Sequence, residues 1–150
     1  MPVVEECVVI PCGAEELFAY LVKAENLPVW DSSIVECSLV GPGPVAVGTR
    51  YRGASKIMGR RFDWTTEVTE FEPGVRTASR SVEGALTFTV SSTLIAAPGG
   101  TRLTYRLEAE SGLGGAFGRV MEPIVQKAQA KVVRANLDTL ATLITQQAAA

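Results

Sequence analysis

The chain predicts an α+β domain: one curved antiparallel sheet wrapped around a long C-terminal helix, with two short helices after the first strand. Three observations lead there. From Gly115 to about Gln147 the residues Phe117, Met121, Ile124, Ala128, Val132, Val133, Leu137, Leu140 and Ile144 follow steps of three and four, the spacing of one helix face. From Ile34 onward, strand-like segments succeed one another between turn signals. A helix on the order of 45 Å long needs a partner as wide as a sheet to cover its apolar side.

The elements follow in chain order. Val3 to Pro11 is rich in valine and isoleucine, which suits a strand, and Pro11 ends it. After Gly13, the segment AEELFAYLVK places Leu17, Phe18, Leu21 and Val22 on one helical face, and AENLPVWD gives a second short turn. Trp30 is read as an aromatic plug closing one end of the core. Turns then fall at GPGPVAVG (41–48), Met58-Gly59, Pro73-Gly74, around Glu83-Gly84, and at Pro98-Gly99-Gly100. They divide six strands, each antiparallel to the next. Gly112, Gly114, Gly115 and Gly118 predict a loop through Gly115 before the last helix, with Ser111 as a weak cap and a kink near Arg119 caused by Pro123. Gln146 to Ala150 is expected to fray.

A two-residue loop at Met58-Gly59 pairs Ile57 with Arg60 and sets Phe62, Trp64, Thr66 and Val68 opposite Ser55, Gly53, Tyr51 and Thr49 on one face. Gly53 leaves room for the Trp64 indole. The other face puts Arg50 opposite Glu67, and Arg52 diagonal to Asp63 and Glu67. Pairing Ala97 with Gly100 makes Leu94 face Leu103, Ser92 face Tyr105, Val90 face Leu107 and Phe88 face Ala109. Thr87, Thr89, Ser91, Thr93, Arg102, Thr104, Arg106 and Glu108 then form a polar face. In the middle hairpin, simple pairing of Glu72 with Val75 aligns Ser79 and Ser81 with Val68 and Thr66 but turns Phe71 outward. A bulge near Glu70 to Phe71 would return it to the core.

Composition narrows the function classes. The 150 residues fit one domain spanning 1–150, and 47% hydrophobic with 20% charged residues supports a real core. Lys plus Arg number 14 against 16 for Asp plus Glu, a net charge of -2, so no nucleic-acid partner is expected. No basic-then-apolar leader and no integral membrane segment is evident, which makes a cytoplasmic location the expectation. Cys7, Cys12 and Cys37 form no CxxC pair and are expected to be buried or half-buried thiols. Histidine is absent, which removes Ser-His-Asp and Cys-His catalysis and imidazole proton shuttling. No metal and no cofactor is expected. Oligomeric state is left open.

The inward face mixes Phe62, Trp64, Tyr51, Phe88, Tyr105, Val68, Val90, Leu94, Leu103 and Leu107 with Thr49, Ser55, Thr66, Ser79, Ser81 and Ser92. A buried hydroxyl without a partner costs about 1–3 kcal/mol. So many of them imply water or ligand, hence a pocket of roughly 300 to 1,000 Å³ lidded by the last helix.

The segments CGAEELFAYL (12–21), ENLPVWD (25–31), GTRYR (48–52), TEVTEFEPGVR (66–76), GGTRLTY (99–105) and the closing helix, in this order and spacing, resemble the SRPBCC superfamily of helix-grip proteins. That group includes START lipid-transfer domains and the polyketide cyclase/dehydrase group. The resemblance implies a hydrophobic cavity between sheet and helix, and ligands ranging from lipids to aromatic polyketides. It selects no activity.

Two functions follow. In the first, a hydrophobic or aromatic small molecule sits among Trp64, Phe88, Tyr105, Phe117, Met121 and Ile124, with Tyr51, Thr66, Ser79, Ser92 and Tyr105 offering hydroxyls. In the second, a cyclase or dehydratase uses the same cavity, with Tyr51 and Tyr105 as catalytic candidates. Asp31 and Glu36 would join them if they line the mouth, and Arg80 if the middle hairpin turns it inward. A module that binds a protein partner is a third reading, marked by an exposed apolar patch.

Overall fold

A computed structural model describes residues 3–57, 59–109 and 115–149, with side chains described in the last helix from 127 to 147. The chain runs β1 (Val3–Ile10), α1 (Ala14–Val22), a 3-10 turn (Ala24–Asn26), α2 (Leu27–Trp30), β2 (Ile34–Val40), β3 (Arg50–Ile57), β4 (Arg60–Glu72), β5 (Arg76–Gly84), β6 (Phe88–Ala97), β7 (Gly100–Ala109) and α3 (Gly115–Ala149). Among the described residues seven strands form one curled antiparallel sheet in the order β1-β7-β6-β5-β4-β3-β2. Each strand from β2 to β7 neighbours the next, and β1 closes the far side against β7. The helix-grip fold expected from the sequence is therefore the fold observed.

The outer hairpins keep the expected register. Ser55, Gly53 and Tyr51 pair with Phe62, Trp64 and Thr66, and the Val68 N–H donates to the Thr49 carbonyl at 2.9 Å. Leu94, Ser92, Val90 and Phe88 pair with Leu103, Tyr105, Leu107 and Ala109. The middle hairpin differs at its tip. Glu72 pairs with Arg76, not Val75, because Gly74 adopts φ 77° and the Val75 N–H closes the turn onto the Glu72 carbonyl at 2.9 Å. A register shift at Thr69, between Val68 and Glu70, restores the Val68–Ser79 and Thr66–Ser81 pairs. This bulge, one residue earlier than expected, turns Phe71 inward to meet the Phe18 ring edge-on, centroids 5.2 Å apart.

Several expectations are corrected. α3 continues to Ala149 and begins at Gly115 itself, while the proposed cap Ser111 lies outside the described residues. Ala128 is exposed, and Gln129 takes the inward position because the buried stripe runs through Val133, Asn136, Leu137, Leu140 and Ile144. Cys7 is exposed, since it lies on the outer face of β1 opposite Thr104. On the outer sheet face Arg50 and Arg80 both reach Glu67, at 3.3 and 3.7 Å, and Arg61 takes Glu36 and Asp63, at 2.9 and 3.1 Å. Arg52 has no ion pair among the described residues. Such exposed pairs contribute little to stability, since solvent screens them.

The core has two parts. The larger joins Ile10, Leu17, Phe18, Leu21, Trp30, Leu94 and Leu103 to Val133, Leu137, Leu140 and Ile144 of α3. The smaller gathers Ala24, Tyr51, Trp64 and Val68. Trp64 reaches its place because Gly53 lies opposite it: a methyl there would strike the Glu36 carbonyl and come within 2.7 Å of the indole. Substituting Gly53→Ala should therefore destabilise the fold by about 1–3 kcal/mol through overpacking. Gly13→Ala, with nothing within 4 Å of the added carbon, should stay within about 0.5 kcal/mol. Urea denaturation of both variants tests this, and equal effects would refute the packing argument.

Candidate functional site

Between the two core parts the sheet and α3 separate around a cavity of about 220 Å³. It is smaller than the sequence suggested, because four large rings stand in its wall. Trp30 meets Tyr105 at 6.0 Å and Trp64 meets Phe88 at 6.2 Å, both edge to face. β3 and β4 supply Tyr51, Trp64 and Thr66; β5 to β7 supply Ser79, Phe88, Ser92 and Tyr105; α3 adds Gln129, Val132, Val133 and Asn136.

Seven of the ligand-binding residues expected from the sequence thus border one space, Tyr51, Trp64, Thr66, Ser79, Phe88, Ser92 and Tyr105, and the conditional candidate Asp31 joins them. Phe117, Met121 and Ile124 belong to α3, but their side chains lie outside the described residues. The hydroxyls differ in what they are free to do. Tyr51 donates to the Val22 carbonyl at 2.6 Å, and Ser55 accepts from Trp64 Nε1 at 2.9 Å, so both serve the fold. Ser81 accepts from the Phe88 N–H at 2.9 Å, and Phe62 lies under the Arg60 guanidinium, away from the cavity. Thr66, Thr77, Ser79, Ser92 and Tyr105 hold no hydrogen bond through their hydroxyls to any described residue, and all border the cavity. Thr77 pairs with Ser92 and Ser92 with Tyr105, so three of these hydroxyls form a row across β5, β6 and β7. Thr87 and Ser91, assigned to the outer face from sequence, also border the cavity: Thr87 stands in the loop before β6, and Ser91 is buried opposite Ala78.

The polar corner beside α2 was the least legible part. Asp31 and Asn136 are 7% and 5% exposed. Asp31 Oδ1 accepts from Asn136 Nδ2 at 3.0 Å, from the Ser33 N–H at 3.0 Å and from the Ser33 hydroxyl at 2.7 Å. Asn136 Oδ1 accepts in turn from the Ser32 N–H at 3.1 Å and the Ser32 hydroxyl at 2.9 Å. Sequence reasoning missed Asn136 altogether. Its signal was a lone amide inside the apolar stripe of α3, together with the Asp-Ser-Ser run after Trp30 that favours a local Asp-capped turn. Glu36 points to solvent against Arg61, and Arg80 is exposed beside Glu67, so neither reaches the cavity.

The environment adjusts these groups. Burial pushes the Asp31 carboxyl above its ordinary value, outweighing the opposing hydrogen bonds from Ser33 and the pull of the nearby Ile34 N–H. Burial also drives the Tyr105 hydroxyl well up, with the Asp31 charge adding to it. The Tyr105 ring is half-buried because one side borders the cavity rather than bulk water. Cys37 is pushed up to about 12 by burial. Because Asp31 binds its proton more tightly folded than unfolded, its contribution to stability is fully present below the unfolded carboxyl value and is lost as pH rises through the folded one. Asp31→Asn mimics the protonated side chain. The Tm of this variant relative to wild type should therefore rise with pH across that window, and a constant difference would refute the assignment.

Among the described residues no group of three or more His, Cys, Asp or Glu is arranged for a metal, and no helix is long and apolar enough to cross a membrane. No curated protein matches the chain. Solved structures do. A Thermus thermophilus protein, TTHA0849, aligns with TM-score 0.84 at 22% identity over 97% of this chain and 99% of its own. A START superfamily protein from Mycobacterium smegmatis aligns with TM-score 0.75 at 17% identity, over 97% and 98%. DR_A0006 from Deinococcus radiodurans aligns with TM-score 0.69 at 22% identity, over 93% and 95%. These likenesses carry the fold. The family follows from the sequence match over residues 1–145, by which the chain belongs to the family described as polyketide cyclase / dehydrase and lipid transport.

Proposed function

We propose that the chain binds a hydrophobic or aromatic small molecule in the cavity between the sheet and α3. One observation carries this reading: a mostly apolar cavity holds a set of hydroxyls with no partner among the described residues. A solid core would have paired or replaced them. A cavity of about 150 Å³ already admits a benzene-sized guest, so about 220 Å³ suits a compound of one or two rings. The family description, which includes lipid transport as well as cyclase and dehydrase activity, supports ligand carriage. The reading includes a cytoplasmic location, consistent with three unpaired cysteines.

A second reading, turnover of a polyketide-like substrate by a cyclase or dehydratase, has one observation in its favour. Asp31 and Tyr105 border the same cavity, and burial raises both, which keeps the Tyr105 hydroxyl a proton donor and makes Asp31, once ionised, a stronger base than a solvated carboxylate. Tyr51 is the weaker catalytic candidate, since its hydroxyl is held by Val22.

Val90 borders the cavity from β6, and Val90→Phe would fill the space without removing a wall. Thermal unfolding with a panel of one- and two-ring aromatic compounds should show saturable stabilisation of the wild type, falling at least tenfold in apparent affinity in Val90→Phe. Equal response of the two proteins would place binding elsewhere, and no response to any compound would overturn the proposal.

A further inference from the structure

The polar groups of the cavity concentrate beside α2. Asp31 Oδ1 carries three donors, whereas no well-aligned hydrogen bond reaches Oδ2 among the described residues, the Ile34 N–H lying close enough to the carboxyl to favour its charged form. The neighbouring Ile34 N–H is spent on the Asp31 main-chain carbonyl at 3.1 Å. The Tyr105 hydroxyl is likewise unpartnered among the described residues, and Trp30, stacked edge-on against the Tyr105 ring, contributes a buried Nε1 with no acceptor. Among the described residues no Lys, Arg or Glu borders the cavity; Tyr51 on β3 and Tyr105 on β7 are the other titratable side chains of that wall. The one carboxyl of that described wall thus has no cation within it; Glu6, which pairs with Tyr105 across β1 and β7, takes its own cation, Arg134 of α3, at 3.0 Å, and the pairs of Arg50, Arg61 and Arg80 lie on the outer sheet face.

The geometry points to a donor-reading subsite: Asp31 Oδ2 and the Tyr105 hydroxyl receive a ring-borne hydroxyl or amino group, and the ring occupies the apolar remainder of the cavity. This rests on the proposed binding function and specifies the ligand's chemistry. The three donors on Oδ1 oppose the effect of burial on the carboxyl, and once it is ionised a ligand O–H or N–H supplies Oδ2 with a further hydrogen bond. A site built around such a group discriminates strongly against ligands lacking it, because the buried acceptor is then left unpaired. An aromatic carboxylate is disfavoured more strongly, since beside the ionised Asp31 it would bring a second negative charge with no cation in the described wall to meet it. The row Tyr105, Ser92 and Thr77 extends the same polar edge across the sheet and offers hydroxyls to further oxygen substituents.

Calorimetric titration of the full chain with naphthol, naphthylmethylamine, methoxynaphthalene and naphthoate tests the subsite. These probes share a ring system and differ in the group offered. The hydroxyl or amine probe should bind about ten- to a hundredfold more tightly than methoxynaphthalene, with naphthoate weakest. Uptake or release of protons during the titration separates the ammonium from the neutral hydroxyl as the preferred donor. The advantage over methoxynaphthalene should fall toward one in Asp31→Asn and shrink in Tyr105→Phe, with folding of both checked by circular dichroism. If Asp31→Asn fails to fold, the wild type still decides: the donor advantage must grow as pH rises through the Asp31 titration. Equal binding of methoxynaphthalene and the donor probes, or preference for naphthoate, overturns the subsite while leaving the binding function standing. Failure of all four probes overturns both.

Discussion

The inner face of a seven-stranded curled sheet is broader than a single helix can cover, and much of this structure follows from that mismatch. α3 seats Val133, Leu137, Leu140 and Ile144 against the β1, β6 and β7 side, where Ile10, Leu17 and Leu103 are also fully enclosed. On the β3 and β4 side the smaller cluster of Tyr51, Trp64 and Val68 packs against the turn at Ala24. The cavity opens where these two packings part. Left empty and apolar, a hole of this size would cost about 5 kcal/mol at the sensitivity measured for core cavities, comparable to the whole stability of many small domains. Hydroxyls along β4, β5 and β6 offset part of this by giving water or a ligand something to bind.

The Asp31–Asn136 contact governs how the parted elements stay in place. It joins the end of α2 to the middle of α3, 105 residues away in sequence, and Ser32 and Ser33 fasten the same corner to the start of β2. A leucine at position 136 would continue the apolar stripe of α3. It would also strand the Ser32 N–H and remove one of the donors on Asp31, each a buried loss of about 1–3 kcal/mol. The amide is therefore worth more to the position of α2 than its apolar replacement would be to packing. The arrangement is selective in what it satisfies: the three side-chain and main-chain donors from Ser33 and Asn136 all meet Oδ1.

Legibility in the sequence followed the range of the interaction. Hairpin registers were readable because turn length and period-two alternation are local, and Gly53 opposite Trp64 follows as a steric necessity from the strand pairing alone. The tip at Pro73-Gly74 differs by one residue from the simple pairing, since a three-residue loop and a two-residue loop share the same turn residues, and the bulge at Thr69 conceals the difference from the Val68–Ser79 pair onward. Ten wall residues on strands were legible by alternation: besides the seven site residues, Ser55, Val90 and Leu107. The corner was not, because Asp31 and Asn136 meet only through the packing of α2 on α3, and no pattern within either segment carries that information. Ala128 failed for a related reason: a periodic stripe fixes spacing more securely than it fixes rotation, and the polar Asn136 and Gln129 occupy the true inward line.

Carriage and catalysis both use this corner, and they differ in when the interaction with Oδ2 is strongest. A carrier stabilises the bound ground state, so a ligand hydrogen bond to Oδ2 should be fully formed on binding. An enzyme needs the same group to exchange a proton with an atom whose charge changes, which requires Asp31 and Tyr105 to reach one reacting atom together. The Tyr105 hydroxyl is driven so far up by burial and by the Asp31 charge that it serves as a donor and not as a base. Base chemistry therefore falls to Asp31, whose own burial makes it a better proton acceptor than a solvated carboxylate. That division of labour holds for either function. The deciding quantity is the position of the ligand's donor relative to any carbon that could react, and a ligand bound through a terminal hydroxyl or amine keeps its carbons out of reach of both groups.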